Sequence, residues 1–223
     1  MFKALFYKEW IKLRWYMLLA VLAITGTAAY CMFNLHRAIS IKEAAHIWEV
    51  MVTKNAIFVD YLKYLPLLVG TLAALVQFVP EMYRKCLKLT LHLPCTEKMT
   101  LFSMLGSGLL LVCACFAMSL LAPACYLPAV LPAELVKNVF SALAPWYLAG
   151  VAAYLLMAWV CLEPTWKLRT VNLVIAILVV RIYFMAPVPQ AYNGFLPALG
   201  IYTLLLSLLS WISIIRFKAG KQD

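Results

Sequence analysis

The stretch Leu101–Cys125, LFSMLGSGLLLVCACFAMSLLAPAC, decides the fold. It contains no charged side chain. A helix crosses the hydrocarbon of a bilayer with about 20 mostly apolar residues, and this run is long enough. Strands of a membrane barrel are shorter and alternate apolar with polar residues, and this run does neither. Working outward, similar runs recur on both sides. The expected spans are about 15-33, 61-80, 101-125, 139-162, 171-186 and 195-215. Each would satisfy its own backbone hydrogen bonds in lipid as a helix. The expected fold is therefore all-α: a polytopic membrane protein with six transmembrane helices in a single domain, 1-223.

Composition agrees. Hydrophobic residues make up 66% of the chain and charged residues 13%, against roughly 45–50% and 25% in soluble domains. A soluble fold of this length has too little interior volume to hide so much apolar surface. The net charge of +10 sits in short segments between apolar runs rather than on one face, so it reads as topology and not as nucleic-acid binding.

Those basic residues set the orientation. Lys3, Lys8, Lys12 and Arg14 precede the first span. Arg84, Lys85, Lys88 and Lys98 separate the second from the third, Lys167 and Arg169 the fourth from the fifth, and Arg216, Lys218 and Lys221 follow the sixth. The other side holds only Arg37, Lys42, Lys54 and Lys137. The richer side is expected to be cytoplasmic, with both termini inside and the chain in the cell (inner) membrane. No cleavable signal peptide is expected, since the first run lacks a small-residue cleavage site. The outer segment 34–60 should contain a short amphipathic helix with Ile39, Ile47 and Val50 among its apolar positions. Pro123, Pro128 and Pro132 predict a bent or re-entrant connection between spans three and four.

Catalytic signatures are absent. There is no G-x-x-x-x-G-K-[ST], no H-E-x-x-H and no G-x-S-x-G. Gly106-Ser107-Gly108 reads as close helix packing through small residues. The cysteines Cys31, Cys86, Cys95, Cys113, Cys115, Cys125 and Cys161 have no metal or redox spacing. No catalytic, cofactor-binding or metal residue is expected.

Two segments carry more information. In residues 1-14, Phe2, Phe6, Trp10 and Leu13 follow one helical stripe while Lys3, Lys8 and Lys12 lie off it. That pattern fits an elbow helix lying in the membrane interface; the plainer reading is a basic flank that sets topology. The 81-98 loop mixes charges with alternating leucines and ends its apolar part at Leu93-Pro94. Glu81, Arg84, Lys85, Leu87, Leu91, Leu93 and Pro94 fit a docking surface for a cytoplasmic partner, with apolar knobs for a groove and charges for register. The plainer reading is a solvated loop.

These segments resemble the permease (transmembrane) subunit of an ABC transporter of the type-2 exporter class. Lys8-Glu9-Trp10-Ile11-Lys12-Leu13-Arg14 fits the family's K-E-x-x-x-x-R elbow. Glu81, Arg84, Lys85, Leu93-Pro94 and Lys98 follow the order of its first cytoplasmic loop. The resemblance implies a coupling helix between spans two and three that contacts a separate cytoplasmic ABC ATPase subunit. ATP and Mg would be bound by that ATPase, with no cofactor in this chain. It also implies a second permease subunit, the same or a sibling. Lys63 and Arg181, near the outer ends of spans two and five, read as snorkelling interface charges or as an outer gate partnered by Glu134 or Asp60. Rival readings are a secondary carrier, a membrane assembly factor, or a membrane-embedded enzyme built on Glu81 or Glu163.

Overall fold

The computed structural model describes residues 2–42, 44–53, 57–83, 97–186 and 190–218. All regular structure among them is helical. In chain order the helices are α1 (Phe2–Lys42), α2 (Ala44–Thr53), α3 (Leu65–Tyr83), α4 (Glu97–Val130), α5 (Ala133–Leu162), α6 (Trp166–Arg181), α7 (Leu196–Leu205) and α8 (Ser207–Lys218). Short 3-10 turns at Asp60–Leu62 and Ile182–Phe184 lead into α3 and out of α6. Five helical stretches are long and apolar enough to cross a membrane: Lys3–Ile41, Asp60–Tyr83, Lys98–Val130, Ala133–Leu162 and Leu196–Phe217. This is the makeup of a multi-pass membrane protein.

The expected fifth span, 171-186, departs from that pattern. Helix α6 has 16 residues, about 24 Å at 1.5 Å per residue, and its first turn carries Lys167 and Arg169. Its 3-10 extension brings Phe184 against Tyr64 at the start of α3, with ring centroids 5.2 Å apart.

The elbow is a second departure. It is not a separate element, because α1 runs unbroken through residues 2–42. No proline lies in that stretch and its one glycine is Gly26, so nothing in the backbone stops the helix at Arg14. Nor do the stripe residues share one face. Leu13 is buried, whereas Phe6 and Trp10 are exposed. A step of four residues overshoots a 3.6-residue turn by about 40°, so the stripe drifts off the face that Leu13 and Glu9 turn inward.

A third departure concerns the prolines. Helix α4 continues through Pro123 and Pro128 to Val130, and α5 begins at Ala133 with Pro132 as its extended N-cap. The connection is a tight turn rather than a re-entrant one. Membrane helices tolerate such prolines because neighbouring elements support the freed carbonyls. The short helix expected within 34–60 is present as α2, which buries Ile47 and Met51.

Small residues organise the packing. Gly70, Ala73 and Ala74 of α3 face Ala149, Gly150, Ala152 and Ala153 of α5, and all are buried. A Cβ on Gly70 would run into the carbonyl of Gly150, so the two backbones lie in contact. Helix α1 packs along α4 on one side of this pair, and α6, α7 and α8 pack on α5. Ion pairs join the start of α1 to the end of α3 and the end of α5 to α8. Lys98 of α4 lies over Trp211 of α8. These contacts gather the cations at one end of the bundle, the basic end. At the opposite end, His36 meets Tyr126 at 2.9 Å.

Candidate functional site at the basic end

Glu81 occupies the last turn of α3, where the helix dipole disfavours a negative charge. Two lysines of α1 compensate. Lys8 and Lys12 are four residues apart, so they share one helix face. Lys8 Nζ lies 2.8 Å from Glu81 Oε1. Lys12 Nζ bonds Glu81 as well, and lies 2.9 Å from Glu9 Oε1. Glu9 and Glu81 are 0% and 1% exposed, and the Oε2 of each is buried without a hydrogen-bond partner. The cluster joins α1 to α3 immediately before residue 84, where the described part of α3 ends.

One turn inward on α3, Gln77 extends the polar path. Its Nε2 donates to Met104 O at 2.9 Å, and its Oε1 accepts from Tyr154 Oη at 2.8 Å. Leu105 O lies 3.1 Å from the same hydroxyl and shares its single hydrogen. Gly108 makes room for this pair, since a Cβ there would overlap Gln77 Oε1 and Tyr154 Oη. Gly106, by contrast, faces no atom within 4 Å, and Ser107 bonds its own helix at Met104 O. Of the two glycines in that motif, Gly108 alone is held to its size by a neighbouring helix. Sequence reasoning missed this network; the signal that could have found it is a lone glutamine within an apolar span. Tyr154→Phe leaves Gln77 Oε1 buried without its donor and should cost about 1–3 kcal/mol; reversible unfolding in mixed micelles measures it.

A second station fastens the other half of the bundle. Glu163, just past α5, is fully buried. Its Oε2 accepts from Ser213 Oγ at 2.5 Å and Asn172 Nδ2 at 3.4 Å, with Arg216 Nη1 at 3.5 Å. Its carbonyl accepts from Arg169 Nη2 at 2.8 Å. One carboxylate thus ties α5, α6 and α8 together.

No family model, curated protein or solved structure matches the chain.

Of the docking residues expected from sequence, Glu81 is buried in the last turn of α3 against Lys8 and Lys12, while Arg84, Lys85, Leu87, Leu91, Leu93 and Pro94 lie outside the described residues. Lys63 lies 5.4 Å from the Tyr64 ring centroid and Arg181 is exposed at the end of α6. Among the described residues, neither pairs with Glu134 or Asp60. No group of three potential metal ligands occurs among the described residues. Glu9, Glu81 and Glu163 are each engaged by cations or donors from other helices or turns. Among the described residues, the arrangement fastens helices to one another.

Proposed function

We propose that this chain is the membrane-spanning permease subunit of an ATP-driven exporter of the ABC type-2 class. It crosses the membrane six times, with both termini and the 81-98 segment in the cytoplasm. Helix α6 and its 3-10 extension make the fifth crossing, a reading supported by the contact of Phe184 with Tyr64. The observation that carries the proposal is the Glu81 cluster. Force applied to the loop after Tyr83 passes through Glu81 into Lys8 and Lys12, so it reaches α1 and α3 together. A buried, paired carboxylate suits such a lever because its geometry holds only while both helices move as one. A separate ATPase subunit docks on the loop and binds ATP and Mg. A second permease subunit completes the path.

The test is purification of the full chain from its native membranes in mild detergent. The expected co-purifying polypeptide carries a G-x-x-x-x-G-K-[ST] loop and vanadate-sensitive ATPase activity. Charge reversal with R84E and K85E should lower its association at least about tenfold. Absence of such a polypeptide, or association unchanged by the reversal, overturns the proposal.

A further inference from the structure

An open groove of about 720 Å³ runs between α1 and α4. Trp10, Arg14 and Trp15 line one end of it, and Leu22 and Met118 lie toward the other. From Trp10 to Leu22 the helix rises about 18 Å. That is close to half of the roughly 30 Å hydrocarbon thickness, the depth of one leaflet. The walls are apolar except at the mouth, and Ala114 leaves the floor low. Tryptophans at the mouth suit the level of the headgroups.

Charge identifies the occupant. Lys8 and Lys12 are held by Glu9 and Glu81. Arg14 lies over the Trp15 ring, 5.6 Å from its centroid, and meets no carboxylate among the described residues. A guanidinium at the mouth of an apolar slot matches a phosphate followed by acyl chains. A second copy related by a two-fold axis along the membrane normal would bring cations to the same level. Among the carboxylates of this end whose side chains are described, Glu9, Glu81 and Glu163 are buried and engaged.

We propose that this groove binds one anionic phospholipid from the leaflet at the basic end, its phosphate on Arg14 and an acyl chain along Val21, Leu22 and Met118. The site goes beyond the transport reading and needs no ATPase.

Native mass spectrometry of the full chain tests it. The delipidated protein is offered equal dioleoyl phosphatidylglycerol and dioleoyl phosphatidylcholine. The expected spectrum shows a single-lipid adduct favouring phosphatidylglycerol about fivefold. R14Q should bring the ratio to about one, and R14K, which keeps the charge, should retain a preference. A114F should remove the adduct of either lipid. Equal adducts in the unaltered chain, or an R14Q ratio that does not move, overturn the proposal. So does a lipid-free dimer that A114F dissociates, because the groove would then belong to a second copy.

Discussion

Gly70→Ala should lower the unfolding free energy of the chain in mixed micelles by about 3 kcal/mol, at the upper end of the cost of overpacking. The new methyl would meet the carbonyl of Gly150, a backbone atom in the centre of α5 that cannot rotate aside. The fit is tight from the other side as well. A Cβ on Gly150 would come within 2.6 Å of Pro66 O and 2.7 Å of Phe116 Cζ. Helices α3 and α5 must separate to accept either methyl, and their small-residue face is the most intimate contact in the bundle. Gly106→Ala is the control, since no atom lies within 4 Å of its Cβ. It should stabilise by up to about 1 kcal/mol, because alanine favours a helix interior over glycine. Equal responses of the two variants would show that α3 and α5 do not touch at Gly70.

Lys12→Met should destabilise by about 3 kcal/mol, and far more than Glu81→Gln. The asymmetry comes from burial. Glu9 and Glu81 are sealed from water, whereas the Lys12 and Lys8 side chains are 22% and 35% exposed. Without Lys12, two buried carboxylates depend on Lys8, which lies 2.8 Å from Glu81 but 3.9 Å from Glu9. Leaving a buried charge uncompensated costs about 3–5 kcal/mol, and the partial exposure of Lys12 places this case at the lower end. Glu81→Gln leaves Lys12 on Glu9 and lets Lys8 turn to water, for a loss of about 1 kcal/mol. The double variant should recover part of the Lys12→Met loss, and the double-mutant cycle reads that coupling. If Lys12→Met costs no more than Glu81→Gln, the carboxylates are hydrated and the lever has no anchor.

Lys8, Lys12 and Glu81, the residues of that anchor, were visible in the sequence in separate roles. Lys8 and Lys12 stood as flank or elbow cations and Glu81 as the first residue of a docking loop. Their meeting was not legible, because charge pattern along one segment says nothing about which helix lies beside it. The unbroken α1 was hidden for a related reason. Amphipathic character suggested a separate interfacial piece, but only a proline, a cap or a competing contact ends a helix, and none occurs near Arg14. At the prolines the expected connection began too early. Pro123, Pro128 and Pro132 predict a bent or re-entrant link after residue 125, and the packed bundle carries the helix on to Val130 before a tight turn. The Gln77–Tyr154 bond was not legible, because neither residue's helix rotation can be read from its own segment.

The sequence alone determined the solvent, the helical class and the end at which the cations gather. These follow from local composition, since hydrocarbon thickness and the cost of carrying charge through it act on each segment by itself. Only the tertiary structure decided that Gly70 rather than Gly106 lies against another backbone, that Lys12 spans 69 positions to reach Glu81, and that Arg14 stands at the mouth of an apolar slot. Those facts depend on how each helix is rotated about its axis and which neighbour it faces. Many rotations bury similar apolar area, and close packing together with a few buried charges selects among them.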